Sequence, residues 1–269
     1  MEAESTQQNR VGGDLYAATY GDAGPVVVLL HGFGGLSDAW RNIAVCLAAN
    51  HCVIAYDLPG HGRSVDYPGG GPAKVAARAV VDDLRRRGLT SVHVVGHSMG
   101  GAIAILTALG SEDLVASLTL VAPGGIGEEI NAPLLRRFGA AHTIDEIVVC
   151  LTDMAAPHAS DTKPLAGILA GARRSDGQQR KLAEIAALIT RDGKQGVIPR
   201  EMLVSLPMPV SVLWGTRDAV LPFAQTRNLP SNFDVRQLDG AGHMLIEEAP
   251  DSIIEVLLRR IEASARSAA

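Results

Sequence analysis

Ser98 stands in Gly96-His97-Ser98-Met99-Gly100-Gly101, between the apolar run Val92–Val95 and the run Ala102–Leu106. A strand that turns into a helix through Gly-x-Ser-x-Gly holds its serine on a sharp, strained bend. The small residues Gly96 and Gly100 leave room for that bend. In return the hydroxyl is presented outward, with a helix N-terminus behind it to favour developing negative charge. An ordinary glycine turn would not need both flanks, so the pattern points to a nucleophile.

A serine hydroxyl is weak at its own pKa and needs a base, and the base needs an orienting group. Of the eight histidines, His243 is best placed as the base. It lies in the loop Gly240-Ala241-Gly242-His243-Met244, after the strand-like Asp234–Leu238. His31 and His97 sit beside glycines and are expected to hold loop geometry. His51 and His93, in strand or pre-strand positions, read as structural. His61, His142 and His158 fall in loops or in an inserted segment and could touch substrate. The orienting acid is Asp218, in Trp214-Gly215-Thr216-Arg217-Asp218, directly after an apolar run. Its plainer reading is an Asx-turn. The rival position, past Leu118–Val121, offers no acid before Glu128.

Attack on a carbonyl also needs N–H donors for the developing oxyanion. The Met99 amide, at the start of the elbow helix, should be one. The Phe33 amide, within His31-Gly32-Phe33-Gly34-Gly35, should be the other. Without the elbow, that glycine run would read as a plain strand-to-helix turn. Gly32, Val149, Met154 and Met244 are the expected substrate contacts. No metal and no cofactor is called for.

These groups must be brought to one edge of a scaffold. Apolar runs at Leu15–Tyr20, Val26–Leu30, Cys52–Tyr56, Val92–Val95, Leu118–Val121, Val210–Trp214 and Asp234–Leu238 read as strands, the first as an edge strand. Helical spacing separates several of them, at Trp40, Ile43, Ala44, Leu47 and again at Ala77, Val80, Val81, Leu84. The alternation predicts an α/β fold, a mostly parallel sheet with helices on both faces. Arg85-Arg86-Arg87 reads as the basic end of a helix before Gly88. From 127 to 206 strand signals stop and helical pieces take over, clearest at Leu182, Ile185, Ala186 and Ile189. Pro157, Pro164 and the polar stretch Arg173–Gln179 are expected to break them. This predicts a helical cap (127–206) over a core made of 1–126 and 207–269. The cap's apolar inner face would be Ile126, Leu134, Leu135, Val149, Leu151 and Met154. A last helix should start at Pro250-Asp251-Ser252, with a frayed tail over 263–269.

Bulk properties narrow the class. With 269 residues the chain is long enough for one large α/β domain with an insertion. It is 47% hydrophobic but 4% aromatic, so aliphatic residues must fill the core. A net charge of -5 argues against nucleic-acid or anionic-membrane partners and leaves a small-molecule substrate. Cys46, Cys52 and Cys150 are odd in number and form no CxxC pair, which fits free thiols in a reducing compartment. The acidic start Met1-Glu2-Ala3-Glu4-Ser5 lacks the form of a secretory signal, and no apolar run has membrane-span length. A cytoplasmic location is expected.

HGFGG at 31–35, DLPGHGRS at 57–64, GHSMGG at 96–101, WGTRD at 214–218 and GAGH at 240–243 complete the pattern. With them the chain resembles the α/β-hydrolase superfamily over nearly its whole length. The resemblance implies the order Ser98, Asp218, His243 and a serine hydrolase without cofactor. Ala122–Asn131 is similar to the hydrolase-like part of acyltransferase components of acetoin dehydrogenase complexes. Those carry a lipoyl domain first, and the residues before Val26 leave no room for one, so acyl transfer to an arm on the same chain is not expected. Haloalkane dehalogenases and epoxide hydrolases of the superfamily use an aspartate where Ser98 stands. Meta-cleavage-product hydrolases share the triad, but usually place asparagine before the serine and Gly-Pro-Gly in the oxyanion loop; here His97 and Gly34-Gly35 stand there. Cofactor-free haloperoxidases and perhydrolases share the triad as well. The expectation is therefore a carboxylesterase for small or medium acyl esters. Carbon–carbon hydrolysis of a diketone-like substrate is the alternative. A non-catalytic ligand-binding protein of the same fold is the alternative of another class.

Overall fold

The computed structural model describes residues 15–157 and 161–268, so the reading of residues 1–5 and the candidate His158 lie outside the described residues. Seven strands form one sheet: β1 (Tyr16–Tyr20), β2 (Val26–Leu30), β3 (Cys52–Asp57), β4 (Val92–His97), β5 (Val115–Val121), β6 (Val210–Gly215) and β7 (Asp234–Leu238). Their order is β1-β3-β2-β4-β5-β6-β7. Within this sheet, among the described residues, only the edge pair β1–β3 is antiparallel. Continuous Val/Leu runs such as Val27–Leu30 and Val94–Val95 are fully buried, as strands covered on both faces must be. The cover comes from α1 (Arg41–Leu47), α2 (Ala73–Arg86), α3 (Met99–Gly110) and α10 (Pro250–Ala268). α2 packs with α3, and α1 with α10. The basic end of α2 is tied down by Asp83, which pairs with Arg86 and Arg87.

The turn from β4 into α3 is strained as its sequence requires. Ser98 has φ 53° and ψ -117°. A Cβ on Gly96 would fall 2.2 Å from the Gly100 carbonyl oxygen, and one on Gly100 2.3 Å from that of Leu30. The strain persists because the surroundings fix it. The Ser98 N–H donates to the Val121 carbonyl, and its own carbonyl accepts from Gly101 and Gly124 N–H, all at 2.9 Å.

Between β5 and β6 the described residues form α4 (Ala132–Ala140), α5 (Ile144–Met154), α6 (Lys163–Ala172), α7 (Asp176–Ile189) and α8 (Arg200–Val204). Their starts are coded locally. Asn131 caps α4, Thr143 and Glu146 form a capping box on α5, and Ser175 caps α7. The helices are interrupted where expected, and at two of these places the marking residues also start the next helix. Pro164 sits in the first turn of α6, where its missing N–H costs nothing, and the polar stretch after Arg173 holds the cap and first turn of α7. The expected fraying is also corrected over 263–268, the part of that tail among the described residues. α10 continues to Ala268, supported by Ser264 Oγ donating to the Arg260 carbonyl. Among the described residues no helix is long and apolar enough to cross a membrane. α9 (Leu245–Glu248) is a short turn of helix directly after His243.

Candidate active site

Parallel strands deliver their following loops to a common edge, and the loops after β2, β4, β6 and β7 meet there. His243 Nε2 lies 3.0 Å from Ser98 Oγ. His243 Nδ1 donates to Asp218 Oδ2 at 2.8 Å, because a carboxylate only accepts. His243 and Ser98 are both buried. Asp218 makes the contacts that each of its two readings calls for, without deciding between the roles. Its Oδ1 accepts from the Val220 and Leu221 amides at 2.8 Å each, an Asx-type turn that aims Oδ2 at the imidazole. Glu128, the rival acid, is exposed and paired with Lys194.

Such a chain can take a proton from the serine as it attacks and stabilise the imidazolium that forms. For the oxyanion, neither the Phe33 nor the Met99 amide donates to an acceptor among the described residues. Gly32 abuts Ser98, with a Cβ there falling 3.2 Å from Ser98 Cβ.

The neighbouring histidines brace these loops. His97 Nε2 donates to the His243 carbonyl at 2.9 Å. Burial, reinforced by the His243 ring, pushes the His97 pKa down to about 3, so it stays neutral. His31 Nδ1 donates to the Gly32 carbonyl and its Nε2 accepts the Leu58 amide. Asp57, fully buried, accepts the Ser37 and Arg63 amides and so ties the 57–64 motif to the segment after the glycine loop. His142 is exposed beside Glu146 and does not line the pocket, and His61 lines a smaller cavity behind the glycine loop.

A pocket of about 520 Å³, its open mouth included, leads to Ser98 and His243. The inserted helices supply its apolar wall through Leu135 and Phe138 of α4, Leu151 and Met154 of α5, and Leu165 and Leu169 of α6. Gly32, Met154 and Met244, named as expected substrate contacts, line it. Val149 does not. It is 52% exposed, because α5 turns Ile147, Cys150, Leu151 and Met154 inward and leaves position 149 on the outer face. Ile126 and Leu134 are buried in packing away from the pocket. Phe138, Leu165 and Leu169 had helical apolar spacing but nothing to tell a pocket face from a core face. Among the described residues no group of three or more His, Cys, Asp or Glu side chains could hold a metal ion.

Two acids after His243 carry no motif signal. Glu248 accepts the Gly242, Met244 and Ala156 amides, so it fixes the histidine loop from both sides. Glu247 lines the pocket, and its Oε2 is closed off from solvent. Burial, with the Glu248 charge adding and its own amide opposing, pushes Glu247 up to about 8. The folded chain thus holds this proton more tightly than the unfolded one. The stability it contributes is whole below the ordinary carboxylate range and is lost as pH rises towards about 8. Glu247→Gln should therefore raise Tm clearly at about pH 9 and little at about pH 5. Thermal melts of both proteins at the two pH values check this, and equal shifts contradict it.

The arrangement has relatives. A family model described as Alpha/beta hydrolase family matches residues 27–256. The chain is 32% identical over 259 residues to the dihydrolipoyllysine-residue acetyltransferase component of acetoin cleaving system from Pseudomonas putida, covering 96% of this chain and 69% of that relative. It is also 32% identical over 254 residues to a pimeloyl-[acyl-carrier protein] methyl ester esterase from Chromobacterium violaceum, covering 90% and 88%. Among solved structures, a meta-cleavage product hydrolase from Pseudomonas fluorescens superposes with TM-score 0.81 at 21% identity, over 93% of this chain and 94% of that one.

Proposed function

The chain belongs to the α/β-hydrolase family, and from that premise we propose that it is a cofactor-independent serine hydrolase of small or medium carboxylic esters. Ser98 Oγ attacks the ester carbonyl while His243 Nε2 takes its proton. Asp218 holds the imidazole and stabilises its charged form, and the Phe33 and Met99 amides receive the oxyanion. His243 then gives its proton to the departing alkoxide, leaving an acyl-enzyme on Ser98. Water, activated by the same histidine, releases the acid. The observation that carries this reading is the hydrogen-bonded relay from Ser98 through His243 to Asp218, at 3.0 and 2.8 Å, at the floor of an apolar pocket. The relative named as a methyl ester esterase is consistent with an ester as substrate.

The test is turnover of a series of p-nitrophenyl acyl esters beside a vinylogous diketone. Ester hydrolysis well above the diketone rate is expected. Cleavage of the diketone alone would replace the reading with carbon–carbon hydrolysis, and turnover of neither would make the protein a binding module.

In this reading residues 127–206 are a specificity cap on the core of 1–126 and 207–269. Each buried methylene is worth about 0.8 kcal/mol, so kcat/KM should rise by roughly a few-fold per acyl carbon until the pocket is full. Met154→Trp should shorten the preferred chain, since Met154 lines the pocket. Val149→Trp, on the outer face, should leave the preference unchanged. If Met154→Trp lowers all esters by the same factor, the cap reading is wrong.

A further inference from the structure

Gly34 is held on both sides by groups remote in sequence. Its N–H donates to His61 Nε2 at 3.1 Å, and its carbonyl accepts from Arg173 Nη2 at 3.0 Å. Burial, with the nearby His31 adding, holds the His61 pKa well below the ordinary histidine range, so that ring remains an acceptor. Arg173 directly follows α6. Its Nη1 also donates to the Phe138 and Ala141 carbonyls at 2.8 Å, which fastens the end of α4. The guanidinium lies over the Phe138 ring, 4.3 Å from its centroid. Gly34 has φ +71°, and a Cβ there would meet Phe138 at 2.6 Å and Arg173 Nη2 at 2.7 Å. The Gly32 carbonyl is tied as well, by the Gly35 amide and the His31 ring. The Gly32 carbonyl and both backbone groups of Gly34 are thus claimed, whereas the Phe33 amide between them donates to no acceptor among the described residues.

Arg173 is an expensive way to join two helices. It is 2% exposed, and among the described residues no carboxylate acts on its charge. A buried cation satisfied only by carbonyls loses its hydration without gaining a counter-charge, and an apolar side chain would fill the space at less cost. What an apolar residue could not do is grip the Gly34 carbonyl.

We propose that Arg173 is a positioning residue that clamps the Gly34 carbonyl, sets the Phe33 amide for the oxyanion, and makes catalysis depend on the seating of α4 and α6 against the core. The proposal rests on the serine-hydrolase reading above. A displaced oxyanion donor costs transition-state stabilisation and leaves ground-state binding alone.

The test compares wild type with Arg173→Ala and Arg173→Lys in four measurements: kcat and KM for a short ester, the rate constant for inactivation by a fluorophosphonate, affinity for an alkylboronic acid, and affinity for the carboxylic acid product. Both variants should lose about tenfold to a hundredfold in kcat with KM nearly unchanged. Phosphonylation and boronate affinity should fall in parallel, and product affinity should hold. Added guanidinium should restore part of the Arg173→Ala activity. Should Arg173→Ala not fold, Arg173→Lys, which keeps the charge but not the planar fork, carries the same expectation. Unchanged kcat and phosphonylation in the variants would overturn the clamp. So would a uniform loss across all ligands that guanidinium does not rescue. A wild-type protein that resists the phosphonate would instead overturn the nucleophile assignment, and the clamp with it.

Discussion

Ser98→Ala is expected to remove ester turnover by roughly six orders of magnitude while leaving the protein folded. In the proposed mechanism the hydroxyl is the attacking atom, and no other group in the pocket would replace it. Removing it disturbs little else, since the side chain gives up only its hydrogen bond to His243. The backbone bonds that hold the elbow come from the Ser98 amide and carbonyl, which alanine keeps. Alanine also meets the same backbone strain at φ 53° as serine does. Some rate above the uncatalysed background should survive, from the oxyanion donors and binding alone. Circular dichroism and Tm should match wild type. A folded variant that keeps a tenth of the activity would contradict the assignment.

Asp218→Asn should cost about four orders of magnitude in kcat, through the imidazole tautomer. Asp218 Oδ1 accepts two backbone amides, from Val220 and Leu221. An asparagine keeps that turn by placing its carbonyl oxygen there. Its NH₂ group then faces His243 Nδ1, where Oδ2 stood at 2.8 Å. Two donors cannot face each other there, so Nδ1 must become the acceptor and the ring proton moves to Nε2. Nε2 then points a hydrogen at Ser98 and cannot accept its proton. KM should change little, because Asp218 does not line the pocket. A kcat within tenfold of wild type would show that Asp218 serves the turn alone.

Much of this was legible in the sequence, for reasons that differ by residue. The sheet could be read because buried parallel strands are rich in Val, Leu and Ile: β2 is an unbroken run from Val26 to Leu30, and the runs in β4 and β6 are broken early only by His93 and Ser211. The elbow could be read because the clash of Gly100 with the Leu30 carbonyl leaves no alternative to glycine. Ser98, His243 and Asp218 each follow a strand, so their common edge could be foreseen. The inserted helices were harder. Their apolar spacing marks an inward face but not which inward residues meet a cavity. Val149 and Met154 are therefore alike in sequence and opposite in the fold. Arg173 and Glu248 were silent because they act on backbone groups, which any residue supplies, some of them far along the chain, as Gly34 is for Arg173 and Ala156 for Glu248. Glu247 was silent because burial, not its neighbours in sequence, sets its charge.

The nucleophile itself can be read directly by peptide mapping after reaction with an active-site-directed fluorophosphonate. The account predicts one adduct, on the peptide carrying Ser98, formed in wild type and absent in Ser98→Ala. It also predicts that ester turnover falls in step with the fraction labelled. Labelling at another residue, or full ester turnover in protein whose Ser98 is quantitatively modified, would contradict it.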